Sequence, residues 1–184
     1  MTKRDFSPRK LDVEAFARDG GSLQGEWPAT ALHRLADTAA PEAPASAWPN
    51  VSWELQGERI EPRAADAQTW LHLQAQATVR LTCQRCLQPV EDHLKVERSF
   101  LFVRDEEQAA ALDEDSEDDV LVLTRSLDAQ DLLEDELLLA LPLVPRHDTC
   151  PEPLAHVEDE FPEELEEKPN PFAALAALKG KGNA

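Results

Sequence analysis

Tyrosine is absent from the sequence, and aromatic residues of any kind are few. Phe and Trp make up 5% of the 184 residues while 42% are apolar, so aliphatic side chains must supply most of the core. Only six glycines accompany 14 prolines, and 30% of the residues are charged. This balance predicts one ordered domain with polar, proline-containing connections and a tail, not two full domains.

Long apolar runs are also missing. Every run is far shorter than the ~20 residues that a membrane-spanning helix needs. The basic residues within 1–10 are not followed by an apolar segment, so we expect no secretory signal. The expectation is a soluble, cytoplasmic protein with no membrane partner.

Basic residues are scarce in the second half of the chain. Residues 1–104 carry 13 basic and 14 acidic side chains, whereas residues 105–184 carry 5 and 23. Such a field repels phosphate backbones and attracts cations over roughly a Debye length, ~8 Å at physiological salt. The charge therefore disfavours non-specific binding to nucleic acid and is compatible with a basic protein partner.

Apolar and polar residues alternate over residues 70–81. The apolar positions are Leu71, Leu73, Ala75, Ala77, Val79 and Leu81. Period two is typical of a half-buried strand, because successive side chains point to opposite faces. A second such run covers residues 90–103, and residues 82–89 between the two contain Cys83 and Cys86. The pattern predicts an antiparallel hairpin with this Cys-x-x-Cys pair at its tip.

The other elements complete an α+β fold: an antiparallel sheet core with a central hairpin, one long packed helix, short terminal helices and acidic disordered loops. The predicted elements are strands at 51–55 and 120–124, a packed helix from a cap at Ser126 or Asp128 to Pro142, and short helices at 30–36 and 170–179. Whether residues 6–16 form a strand or a helix stays open.

Two segments are predicted to be disordered, 105–119 with nine acids and no base, and 152–167, which is acidic and contains several prolines. Residues 39–50, rich in alanine and proline, are predicted as a linker. The expected organisation is therefore an N-terminal segment with a short helix and linker (1–50), a β-rich core with the packed helix (51–150), and an acidic linker with a C-terminal helix (151–184).

The cysteines offer one candidate metal site. Three cysteines without an export signal argue against a disulfide framework. Cys83 and Cys86 are spaced like one half of a structural zinc site. His147 and Cys150, again spaced by two, are the candidates for the second half. Because the halves are far apart in sequence, and the acidic, proline-containing sequence just beyond Cys150 predicts a mobile loop around His147, we expect no cofactor and well under one zinc per chain, with zinc as the alternative. A thioredoxin-like redox role would need the pair at a helix N-terminus.

Motifs for catalysis are lacking. The sequence has no glycine-rich phosphate loop, no Gly-x-Ser-x-Gly and no His-Glu-x-x-His. The acidic triplet Glu134-Asp135-Glu136 is best interpreted as a solvated helix face. We therefore expect a protein that is not an enzyme.

Three strings resemble the bacterial YceD family, the large ribosomal RNA subunit accumulation proteins. They are CQRC at 83–86, LLEDELLLALPLVPRHDTC at 132–150 and EKPNPFAALAALK at 167–179. The resemblance implies a non-enzymatic cytoplasmic factor for synthesis, processing or stability of large-subunit (23S) ribosomal RNA. It also implies that some distant relatives complete the Cys-x-x-Cys with a second cysteine pair, where this chain has His147 and Cys150.

Three hypotheses follow, in this order. The first is contact between the acidic half and a basic ribosomal protein or an rRNA-processing factor. The second is direct RNA binding through basic residues of the hairpin, although few aromatics are available to stack on bases. Its candidate contacts are Arg80, Arg85, Lys95, Arg98 and Arg104. The third is a zinc or redox module centred on Cys83 and Cys86.

Overall fold

A mixed five-stranded sheet organises the chain. The computed structural model describes residues 5–63, 66–113, 116 and 118–151. Strands β1 to β4 are antiparallel neighbours in chain order, and β5 joins β4 in parallel. The strands are β1 (Ser22–Trp27), β2 (Val51–Ile60), β3 (Gln68–Thr82), β4 (Pro89–Val103) and β5 (Asp119–Val122), and the helices are α1 (Val13–Arg18), α2 (His33–Ala36), α3 (Glu106–Asp113) and α4 (Ala129–Leu139). The predicted α+β class is confirmed.

The central hairpin has the register that the alternating pattern predicts. Along β3, Leu71, Leu73 and Val79 are fully buried, while Gln74 and Gln76 between them are exposed. Fourteen residues of β3, Thr69 to Thr82, pair with fourteen of β4, and Ala77 lies opposite Leu94 on the buried face. This long ladder carries the Cys-x-x-Cys turn at one end.

The helices cover one face of the sheet and close the core. Phe16 of α1, Leu35 of α2 and Leu133 and Leu137 of α4 are fully buried in the same cluster as Leu73. The predicted cap of α4 is Asp128, whose carboxylate accepts a hydrogen bond from the backbone N–H of Gln130 at 2.9 Å. Helix α4 ends at Leu139, before Pro142, so it has 11 residues.

A buried glutamate joins α4 to α2. Glu134 is 5% exposed, and its carboxylate accepts hydrogen bonds from the backbone N–H groups of Arg34 at 2.7 Å and Leu35 at 3.1 Å. These are early N–H groups of a four-residue helix, and they have no partner within that helix. Glu134 is therefore not part of a solvated face, contrary to the sequence interpretation.

The opposite face of the sheet is polar and largely open. Helix α3 covers only its corner, where Ala109 packs with Leu101 and Val103. The prediction of a disordered loop over 105–119 is therefore wrong for the α3 residues. Three consecutive alanines favour helix, Asp105 accepts a hydrogen bond from the N–H of Gln108 at 2.9 Å, and Ala109 is buried. The prediction of disorder gave more weight to the nine acidic residues of 105–119 than to these local helix signals.

Two further segments differ from expectation. Residues 39–50, predicted as a linker, place Ala40, Ala43 and Trp48 in buried positions, and the Trp48 indole N–H donates to the Ala43 carbonyl at 2.9 Å. Strand β1 was not predicted. Its six residues include a glycine, and they alternate only between exposed and half-buried positions, with none fully buried. Residues 6–16, left open, begin a short 3₁₀ turn and then enter α1.

Some predictions fall outside the described residues. The acidic segment 152–167 and the helix at 170–179 lie there, and the division into three parts stays a prediction. No helix in the described ranges is long and apolar enough to cross a membrane.

The hairpin register can be tested by paired substitutions. Leu73→Asp places a charge in the closed core and should lower the free energy of unfolding by several kcal/mol, about 3 or more, because a buried charge without a partner is costly. Gln74→Asp, the matched control on the open face, should change it by less than about 1 kcal/mol. Urea denaturation of both variants measures the difference, and equal losses would contradict the register.

Candidate metal centre

The tip of the β3–β4 hairpin brings two thiols together. After β3 ends at Thr82, the chain turns so that the Cys83 N–H donates to the Gln88 carbonyl at 3.0 Å and the Leu87 N–H donates to the Cys83 carbonyl at 2.9 Å. Leu87 takes a positive φ of 62° to complete this turn. Both Cys83 and Cys86 are buried beneath the tip.

The loop after α4 returns to this tip. Pro142 and Pro145 direct the chain away from the helix, and the Pro145 carbonyl accepts a hydrogen bond from the Gln84 N–H at 2.8 Å. The sequence reasoning treated this loop as remote from the hairpin. That reasoning is wrong because a backbone hydrogen bond between distant segments leaves no local pattern.

Four metal-ligating side chains meet where the two segments join. Cys83, Cys86, His147 and Cys150 each offer one ligand atom, and these atoms lie within 4.8 Å of one another. The Cys83 and Cys150 sulfurs are 4.0 Å apart, and the Cys86 sulfur is 3.5 Å from His147 Nδ1. A zinc ion with ~2.3 Å bonds to sulfur in a tetrahedron requires ligand atoms ~3.8 Å apart.

The imidazole of His147 is oriented by the hairpin backbone. Its Nε2 lies 3.1 Å from the Pro89 carbonyl oxygen, which can only accept, so Nε2 carries the hydrogen. In the neutral ring Nδ1 then keeps its lone pair, and it faces the Cys86 sulfur. A histidine ligand fixed through its second nitrogen is typical of metal sites.

The thiols of Cys83 and Cys150 differ in acidity. Burial raises the pKa of Cys83, but backbone N–H groups of Cys86, Arg85 and His147 stabilise its thiolate and bring the pKa down to about 5. Burial and the neighbouring Cys86 and Cys83 side chains raise the pKa of Cys150. All three cysteines are free thiols, and 4.0 Å between sulfurs is far beyond the ~2.05 Å of a disulfide.

The donor set fits a tetrahedral Cys₃His zinc centre. Three sulfurs and one nitrogen are the ligand types that structural zinc prefers, and all four positions are filled by protein. The Cys-x-x-Cys pair lies between two strands, which is unlike the helix N-terminus that activates a redox pair. The geometry therefore supports metal binding that holds the loop to the hairpin.

The basic residues predicted as RNA contacts do not form one patch. Arg80 and Lys95 lie on the open face of the sheet, and Arg80 pairs with Glu91 at 3.2 Å. Arg98 lies on the other face, within 3.1 Å of Glu136 and 2.8 Å of Asp119. Arg85 is exposed at the hairpin tip, beside the metal centre, and Arg104 lines a cavity of about 490 Å³ beyond the far end of β4.

Sequence reasoning missed the residues that assemble the centre. Pro145 and Pro89 contribute only backbone carbonyl oxygens, so no side-chain pattern points to them. The four ligands themselves were identified in the sequence, from the equal spacing of Cys83-x-x-Cys86 and His147-x-x-Cys150.

Comparison with known proteins gives one family. A family model described as large ribosomal RNA subunit accumulation protein YceD matches residues 71–179. A protein of that name from Haemophilus influenzae is 42% identical over 109 residues, which are 58% of this chain and 63% of the relative. The match thus spans less than two thirds of that relative's length. No solved structure matches the chain.

The Arg98–Glu136 pair yields a pH prediction. Burial raises the pKa of Glu136, more than the attraction of Arg98 lowers it, while Asp119 raises it further. A carboxyl whose pKa is higher in the folded state loses stability as pH rises from the unfolded pKa through the folded one. Relative to Glu136→Gln, the wild type should therefore become less stable between about pH 4 and pH 7.

Thermal or urea unfolding across that pH range measures the effect. The matched control is Glu91→Gln, which breaks an exposed arginine pair of the same type. Its stability difference from wild type should show a smaller pH dependence, and an identical profile for both variants would contradict the role of burial.

Proposed function

Because the chain belongs to the YceD family of large ribosomal RNA subunit accumulation proteins, we propose that it supports accumulation of 23S ribosomal RNA in the cytoplasm, as a binding factor and not as an enzyme. The observation that carries this is the family match over residues 71–179, which include most of β3, all of β4 and α4, and the four residues of the metal centre. The matched relative's name describes rRNA accumulation.

The metal centre supports a non-catalytic role. Catalytic zinc sites keep one coordination position open for water or substrate, whereas structural sites use four protein ligands. Here three cysteine sulfurs and an imidazole nitrogen would occupy all four positions around a bound ion. When bound, zinc would supply the attraction that joins the post-helix loop to the hairpin tip.

A basic ribosomal protein or rRNA-processing factor is the partner that the charge favours. Residues 105–184 carry 23 acidic and 5 basic side chains. The open face of the sheet adds Glu54, Glu58, Glu91 and Glu97, all exposed or half-buried. A cationic partner would be attracted to this field, and the attraction would weaken with salt.

Direct RNA binding is the second candidate. Its support is the basic residues of the hairpin, but two of them are committed to carboxylates: Arg80 to Glu91, and Arg98 to Glu136 and Asp119. A phosphate could bind either arginine only by displacing its carboxylate partner or by sharing the guanidinium with it. Protein contact is therefore the better-supported proposal.

Zinc content tests the structural part of this proposal. The sequence argument for an empty site rested on the separation of the two halves along the chain and on expected mobility of the loop, whereas the Gln84–Pro145 hydrogen bond brings the halves together. We now expect close to one zinc per chain in protein purified without chelator, because four suitable ligands are preassembled. Elemental analysis measures it, and Cys150→Ser should lower occupancy and the melting temperature together. Asp148→Ser in the same loop is the control and should leave both unchanged; full occupancy in Cys150→Ser would contradict the assignment.

The partner class is tested by affinity capture from cells with and without nuclease treatment. Protein contact predicts that a basic ribosomal or processing protein survives nuclease. Replacing Glu54, Glu58 and Glu97 by Gln should reduce its recovery several-fold, because the attraction depends on these charges.

The control variant neutralises an equal number of exposed acids on the helical side: Glu14, Asp37 and Glu42. It should retain the partner. Recovery lost on nuclease treatment would favour the RNA hypothesis, and normal large-subunit rRNA levels in cells lacking the protein would contradict the rRNA role itself.

A further inference from the structure

The loops around the metal centre expose aliphatic side chains. Leu87 is 64% exposed, Val144 is 58% exposed and Leu143 is fully exposed. Single exposed leucines are common on protein surfaces, but three within two short loops form a cluster. None of the three is among the core clusters or the residues packed against them.

These side chains belong to one surface. The Gln84–Pro145 hydrogen bond of 2.8 Å and the 3.5 Å approach of Cys86 to His147 hold residues 83–88 beside residues 142–150. We name five of the exposed side chains of these loops the tip surface: Arg85, Leu87, Leu143, Val144 and Arg146. The exposed acid Asp148 lies in the same loop as Arg146.

Leu87 adopts a backbone conformation that leucine normally avoids. Its φ of 62° lies in the left-handed region, where Cβ crowds the following carbonyl and glycine or asparagine is favoured. Its side chain is exposed, so burial of the side chain does not offset the energetic cost of this backbone conformation. The turn requires this backbone conformation, but it does not require a leucine side chain, and an exposed leucine kept at such a position points to a contact made outside the fold.

The loop that presents Leu143 and Val144 is stiff. Pro142 and Pro145 flank the pair and fix φ on either side. Side chains presented on a preorganised backbone lose less conformational entropy on binding, so such a loop suits a contact surface.

The tip surface is basic in an acidic chain. Residues 83–88 and 142–150 contain two arginines, Arg85 and Arg146, and one acid, Asp148, whereas the whole chain carries a net charge of −19. Neither loop contains Phe, Tyr or Trp, and the imidazole of His147 is held between Cys86 and the Pro89 carbonyl, so nucleic-acid bases would find little to stack on. Aliphatic side chains flanked by arginines complement an apolar segment with carboxylates.

We propose that the tip surface binds a protein segment that presents aliphatic side chains flanked by aspartate or glutamate. This partner differs in charge from the basic protein proposed above. The inference stands on the geometry of the tip and does not depend on the role in rRNA accumulation.

A photo-cross-linking residue placed at position 143 identifies what touches the surface in cells. The same residue at Leu112, an exposed leucine of α3 beyond the other end of β4, is the control. The proposal predicts adducts at 143, absent at 112, whose mapped peptide contains aliphatic residues beside carboxylates. Adducts to RNA, to a basic segment or to a second copy of this chain would contradict it, as would no adduct above the control.

Leu87→Gly separates binding from folding. Glycine accepts the positive φ without strain, so the melting temperature should stay equal or rise, and zinc content should not change. Binding of the mapped segment, synthesised as a labelled peptide, should weaken at least tenfold by fluorescence anisotropy. Leu112→Ala should bind like wild type.

Charge reversal completes the test. Arg146→Glu should weaken binding of the acidic peptide and strengthen binding of a version with lysine in place of its acids. If Leu87→Gly and Arg146→Glu both bind the original peptide like wild type, the tip surface is not its docking site and the proposal fails.

Discussion

The structure depends on one long-range junction, the meeting of the hairpin tip with the loop after α4. Two sulfurs 67 residues apart in sequence lie 4.0 Å from each other, and a sulfur and an imidazole nitrogen 61 residues apart are 3.5 Å from each other. As thiolates, three sulfurs this close would repel one another without a cation to share. A metal ion would turn that crowding into attraction and add the energy of binding to that of folding.

The junction explains why the fold was easier to predict than the site. The β3–β4 hairpin follows from alternation within two neighbouring runs of 15 residues each, because strand burial is a local, period-two property. Helix α3 and strand β1 were missed because charge count and glycine obscured weak local signals. The loop position was missed for a different reason: the Gln84–Pro145 hydrogen bond joins backbone atoms, which any sequence could supply.

The molecule separates two kinds of surface. The sheet's open face carries glutamates, whereas the tip surface combines two arginines with exposed leucine and valine. The basic partner and the acidic, aliphatic partner that we propose would therefore contact different parts of the described structure. Such an arrangement would suit a factor that brings assembly components together, as proposed for this member of a family named for rRNA accumulation.

The central claim is that a metal ion ties the post-helix loop to the hairpin through three sulfurs and one imidazole. X-ray absorption at the zinc edge of the purified protein tests it most directly, because it counts ligands by type. The account predicts about three sulfurs at ~2.3 Å and one nitrogen at ~2.0 Å. A shell of oxygen and nitrogen only, or one with two sulfurs that is unchanged in Cys150→Ser, would contradict it.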